Sequence, residues 1–201
     1  MNIIDISRTL LTAVEYPGDP KTRHEQVRKI ENGDGCNLSA VYSCVHTGTH
    51  TDAPCHFIDG ADTVEDLDLY KYIGPCTVIE VPPGVISGEY VNKHFPKVCT
   101  RILIKGNGLC HFMDSAAYET VDTGICLIGT DADSVGRAGD QTEPHRAFLR
   151  NGVAILEGLD LSKVEPGDYF LIAAPVKMGA IDGAPVRAVL IYDYILWNNV
   201  K

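Results

Sequence analysis

Eight short β-rich runs, each stopped by a turn signal before it can lengthen, set the tightest limit on how this chain can fold. They cover residues 3–5, 37–45, 77–81, 101–104, 125–128, 153–156, 169–172 and 186–192. Turn residues such as Pro82-Pro83-Gly84, Lys105-Gly106-Asn107-Gly108 and Glu165-Pro166-Gly167-Asp168 separate them. Three helical stretches are interspersed, at 89–95, 114–121 and 143–151. Asp114 can cap the second, while Glu143-Pro144 and Gly152 form a start and a stop for the third. Strands outnumber helices, so the pattern predicts a mixed α/β domain with a central sheet or partly closed barrel. With 201 residues, no repeat and no linker-like segment, one domain over 1–201 is expected.

Charge narrows the partners. The formal net charge is -10, whereas a nucleic acid or an anionic membrane surface calls for a basic face. No run approaches the ~18–20 apolar residues of a membrane span. The opening Met1-Asn2-Ile3-Ile4-Asp5 lacks a basic then apolar leader, so a cytoplasmic protein acting on a small molecule is expected. The seven cysteines, at 36, 44, 55, 76, 99, 110 and 126, are odd in number and form no C-x-x-C pair. Reduced, mostly buried thiols follow.

The chemistry concentrates in His46-Thr-Gly-Thr-His-Thr-Asp-Ala-Pro-Cys-His-Phe57, which directly follows the strand-like run 37–45 and is expected to form a loop. Imidazole and carboxylate suit borderline divalent ions such as zinc, manganese or iron. Gly48 allows unusual backbone angles and Pro54 stiffens the exit, so His46, His50 and Asp52 can converge, with His56 beside them. A His-rich surface loop is the bland alternative. Three histidines and an aspartate among small residues point instead to a metal or catalytic site. Few ligands at one ion leave positions open for water, as in a catalytic centre. Further ligands can come from His145 on the third helix and Glu157 at the end of the 153–156 run. His24, His94 and His111 are expected to be surface or packing residues.

HTGTHTDAPCHF resembles the H-x-G-T-H-x-D-x-P-x-H-F signature of the metal-dependent cyclase/hydrolase family, which includes bacterial kynurenine formamidase and isatin hydrolase. Other landmarks follow in that family's order: Asp5-Ile-Ser, Tyr16-Pro-Gly-Asp-Pro20, Tyr72-Ile-Gly-Pro75, Gly129-Thr-Asp131, Glu157-Gly-Leu-Asp-Leu161 and Asp182-Gly-Ala-Pro-Val-Arg187. The compact length is similar to the formamidase branch. The resemblance implies a β-barrel-like core flanked by helices, a homodimer or higher homo-oligomer, and two divalent ions per subunit, zinc first and manganese as the alternative. His46, His50 and Asp52 would hold one ion. Asp52 would bridge to a second ion that also takes His145 and Glu157. His56 matches the family's proton-transferring histidine, acting with metal-activated water on N-formyl-L-kynurenine. Tyr16 stands where formamidases of this type carry a substrate-contacting Trp. A cyclic amide or lactone at the same site, and a binding protein without turnover, are the other readings.

Overall fold

The computed structural model describes residues 1–193. The chain opens with β1 (Asn2–Asp5), a hairpin of β2 (Arg23–Arg28) and β3 (Leu38–Tyr42), and β4 (His50–Asp52). Next come β5 (Ile73–Glu80), β6 (Gly84–Ile86), α1 (Gly88–His94), β7 (Arg101–Lys105), β8 (Cys110–Phe112) and α2 (Asp114–Val121). Then β9 (Leu127–Thr130), α3 (Thr142–Arg150) and β10 (Ala154–Glu157) precede β11 (Gly167–Ile172), β12 (Gly183–Pro185) and β13 (Val189–Tyr192).

Nine strands form one curled, half-barrel sheet in the order β1-β13-β11-β5-β7-β9-β10-β4-β12. The middle four, β5, β7, β9 and β10, run parallel, and every pairing outside them is antiparallel. Strand alternation sorts the core into two faces. Ile102, Ile104, Ile128 and Ile155 pack with Val91, Ala116, Ala117, Ala147 and Phe148 from the three helices. Leu103, Leu127, Ala154 and Leu156 point the other way, onto Val78, Leu161, Leu171 and Leu190. Each fully buried Ile or Leu contributes roughly 1.5–3 kcal/mol. Because Ile155 faces the helices, so does Glu157, two residues later on the same strand. The barrel-like core flanked by helices that the sequence led one to expect is present as this curled half-barrel, with α1, α2 and α3 packed on one face.

The expected strands and helices are present, with some boundaries moved by a few residues. The run at 37–45 ends as a strand at Tyr42, and pairing in the run at 186–192 begins at Val189. The reading of 46–56 as one loop is corrected. Residues 50–52 form a buried strand inserted between β10 and β12. Its polar sequence carries no strand signal, and neighbours on both sides impose the conformation. The short strands β6, β8 and β12, and the polar β2, likewise exist through their partners. All seven cysteines are free thiols. Among the described residues, no helix is long and apolar enough to cross a membrane.

Close backbone approach anchors β4. Gly158 follows β10 with φ of 65°, and a Cβ there would lie 2.1 Å from the Gly48 carbonyl oxygen. The Thr49 hydroxyl donates to the Gly158 carbonyl at 2.6 Å. Only glycine satisfies both the left-handed conformation and the contact. Gly158→Ala is expected to destabilise the protein by at least about 2 kcal/mol in urea unfolding, and a shift below about 0.5 kcal/mol would show that the loop gives way easily.

Candidate metal centre

Six side chains reach the site from three separated parts of the chain. In β4, His50 and Asp52 are two apart and share a face, while Thr51 points to the opposite one. The β4–β10 register sets Glu157 opposite His50 and Ile155 opposite Asp52, so all of these project toward the helices. α3 then delivers His145. Its first turn tolerates Pro144, because the earliest helical N–H groups lack intrahelical partners. His46 arrives from the turn before Gly48 (φ 72°). His56 ends the 3-10 turn Pro54–His56. The structure thus brings together all six histidine and acidic positions expected from the sequence.

Two histidines have their protonation pattern set by backbone carbonyls. His50 Nδ1 donates to the Gly48 oxygen at 3.0 Å and His145 Nδ1 to the Gln141 oxygen at 2.6 Å. In each neutral ring the unprotonated Nε2 is then turned inward. His50 Nε2 lies 3.5 Å from Asp52 Oδ1 and 3.4 Å from Glu157 Oε2. His145 Nε2 lies 3.1 Å from Glu157 Oε1 and 3.5 Å from Asp52 Oδ2. Contacts this short between ring nitrogens and carboxylates need a positive charge between them, carried either by a proton on the ring or by a metal ion. Asp52 Oδ2 is buried with no hydrogen-bond partner among the described residues, and its side chain is only 1% exposed. The donor set therefore fits a divalent metal, with backbone-anchored imidazoles of the kind such ions use. Ligand atoms fall into two groups, His46–Asp52–His56 and His50–Asp52–Glu157, with each group lying within 4.8 Å and Asp52 common to both. The sequence had grouped His50 with His46; the geometry also puts His50 against Glu157.

Electrostatics follow from burial and pairing. Burial opposes charge on His46, but Asp52 at 3.1 Å and Asp182 at 3.0 Å outweigh it and raise its pKa to about 9. Burial also works against the charged forms of His145 and Glu157. Their mutual hydrogen bond prevails, raising His145 and holding Glu157 well below the usual carboxylate range, with His50 assisting. Glu157 also accepts from the Val135 N–H at 2.7 Å. His56 is different. Burial lowers its pKa, and His46 and His145 reinforce that against the nearby carboxylates. It stacks on His46 with centroids 4.0 Å apart, and its side chain is 29% exposed, against 13% for His46, 3% for His50 and 2% for His145.

The four histidines and Glu157 line a cavity of about 110 Å3 together with Tyr16, Asp19, Phe57, Asp133, Ser134 and Gln141. Tyr16 lines this cavity, and its hydroxyl donates to Gln141 Oε1 at 3.1 Å. A larger hollow of about 950 Å3, bordered by Cys76, Cys99 and Tyr169, lies elsewhere. The smaller cavity is the better site, because convergent titratable groups rather than volume mark chemistry. Sequence reasoning passed over Asp182 as a site residue. Its place directly before Gly183-Ala-Pro was visible, but its contacts with His46 and His56 depend on pairing across more than a hundred residues.

The half-barrel fold and this His/Asp/Glu centre define a metal-dependent hydrolase of the cyclase type. Residues 4–103 match the family model described as "Putative cyclase". The chain is 34% identical to the kynurenine formamidase of Salinibacter ruber (strain DSM 13855 / M31), covering 94% of this chain and 97% of that protein. It therefore belongs to the cyclase family that includes kynurenine formamidases. A predicted metal-dependent hydrolase from Bacillus stearothermophilus superposes with a TM-score of 0.81 at 27% identity, over 94% of this chain and 97% of that one. Isatin hydrolase A from Labrenzia aggregata shares the fold, with a TM-score of 0.81 at 20% identity over 94% and 93% of the two chains.

The raised pKa of His46 has a consequence for protein stripped of metal with a chelator. A folded-state pKa of about 9, above the unfolded value of 6.5, gives stability that is fully present below about pH 6.5. It is lost as pH rises through about 9. The loss expected between those limits is up to about 3 kcal/mol. Urea unfolding at several pH values measures it, and His46→Gln should flatten the profile. A His46→Gln profile as steep as the parent's would show that other groups carry the dependence.

Proposed function

We propose that this chain hydrolyses N-formyl-L-kynurenine to L-kynurenine and formate, a step of tryptophan degradation, as one catalytic domain spanning residues 1–201. The observation that carries the reading is the constellation of inward-facing Nε2 atoms and shared Asp52 carboxylate, present in a chain whose near full-length relative is a kynurenine formamidase. His46, His50 and Asp52 would hold one ion, and Asp52, His145 and Glu157 a second. Zinc is the ion proposed, with manganese able to use the same donors. When bound, such ions lower the pKa of water to near neutrality and polarise a carbonyl.

The chain's own residues supply the remainder. His56 is neutral near pH 7, because burial lowers its pKa, so it can take a proton from the attacking water. It returns that proton to the aryl nitrogen as the formyl C–N bond breaks, giving formate and the free aryl amine. Tyr16 and Phe57 line the cavity with aromatic faces suited to the substrate ring. Free thiols throughout suit a reducing cytoplasm. In the β2–β3 hairpin every strand residue is exposed, including Val27, Leu38, Val41 and Tyr42. A two-stranded ribbon gains little stability alone, which supports a homodimer or higher homo-oligomer that covers it.

Metal analysis of purified protein, paired with formate release from N-formyl-L-kynurenine, tests the reading. Formate release that is lost on chelation and restored by zinc or manganese is expected. No formate release with either ion would overturn it, and turnover of a cyclic amide instead would move the same centre to that substrate class. His56→Ala is expected to lower kcat by about 10²–10⁴-fold while keeping the full metal content. Loss of an ion in that variant would make His56 a ligand rather than the proton carrier.

A further inference from the structure

The residue just before β12 adds a member to the site. We infer that Asp182 is a positioning residue that orients both His46 and His56, and this rests on the reading of His56 as the proton carrier. Asp182 Oδ2 accepts from His46 Nε2 at 3.0 Å and lies 3.4 Å from His56 Nδ1. One carboxylate oxygen therefore faces two rings that stack on each other at 4.0 Å. His46 Nδ1 faces Asp52 Oδ1 at 3.1 Å. In the neutral ring a proton held on Nε2 by Asp182 leaves Nδ1, the inward nitrogen beside Asp52, available to the centre. This is the carboxylate–imidazole arrangement that fixes ring orientation in metal sites. For His56, a carboxylate at Nδ1 favours the Nδ1–H tautomer and leaves Nε2 to take and return the proton, as in other carboxylate–histidine pairs.

The backbone holds Asp182 in this place. The Asp182 carbonyl accepts from the Ala53 N–H at 2.9 Å, and the Ile181 carbonyl accepts from the Val64 N–H at 3.0 Å. Both bonds tie it to the segment that carries His56. Gly183 pairs with Asp52 across the β12–β4 ladder. A Cβ at 183 would lie 2.6 Å from His46 Cε1, so glycine there lets the ring pass close beside the strand. The Asp182 side chain is 49% exposed. Burial therefore cannot account for an acid here, whereas its two imidazole partners do.

Asp182→Ala and Asp182→Asn, purified with zinc, give the test. Ala should lower kcat on N-formyl-L-kynurenine by about 10–100-fold with KM changed less than about threefold. Asn, which keeps an acceptor oxygen, should recover most of that loss. Independently of turnover, long-range proton–nitrogen NMR of the histidine rings should show the Nδ1–H tautomer for His56 in the parent and its loss in the Ala variant. Parent-like kcat in Ala, a change confined to KM, or an Nε2–H tautomer of His56 in the parent would each overturn the inference. If the parent itself releases no formate, the proposed reaction fails, and the NMR result alone decides the role of Asp182. An Ala variant that does not fold leaves the decision to Asn and to the parent's tautomer.

Discussion

The antiparallel pairing of β10 with β4 is the constraint on which the rest of this structure depends. Its register puts His50 opposite Glu157 and Asp52 opposite Ile155. Side chains alternate across a strand, so a slip of one residue would turn His50 and Asp52 toward Leu156 and Leu103. Buried ionisable groups without partners cost several kcal/mol each. The opposite face resists the slip as well. Thr51 donates to the Ile155 carbonyl at 2.7 Å and receives the Tyr72 hydroxyl at 3.0 Å. That buried polar pair is satisfied in one register only.

Concentrating so many ionisable groups in the interior is tolerable because they neutralise one another. His145 and Glu157 offset each other's burial, and the Val135 N–H takes up part of Glu157's remaining capacity. The arrangement leaves one oxygen over, Oδ2 of Asp52, the residue common to both ligand groups, with His145 Nε2 3.5 Å away. An orphaned acceptor there is consistent with a site shaped for a cation, since native interiors rarely leave such an atom unpaired. Glycines make the crowding sterically feasible. Gly158 lets the backbone after β10 touch that of Gly48, and Gly183 lets His46 lie against β12.

Much of this was legible in the chain itself. The apolar runs of β7, β9 and β10 announce themselves because strands buried on both faces need continuous hydrophobic sequence. The capping and stop residues of α3 marked the helix that carries His145. The strand character of β4 was not legible, because His-Thr-Asp has no apolar pattern and acquires its conformation from β10 and β12. Asp182 was hidden for the same reason. Its neighbours in space are set by strand order, and no local spacing encodes that. The site's residue types and the sharing of Asp52 could be read from the sequence and its resemblance, whereas the placing of His50 against Glu157 required the register.

The way each imidazole is held separates holding from turnover. His50 and His145 donate Nδ1–H to main-chain carbonyls, acceptors that neither titrate nor move independently of the fold. Rings fixed like this keep one nitrogen permanently presented, which suits a ligand and would hinder a group that must swing between protonation states. His56 has no main-chain acceptor among its described contacts. It rests on a ring face and beside a half-exposed carboxylate. A proton carrier needs to gain and lose charge within each cycle, and a partner open to solvent makes that change less costly than a rigid buried dipole would. Backbone anchoring is thus given to His50 and His145 and withheld from His46 and His56, and the ring proposed to carry the proton is one of the two that the backbone leaves unclamped.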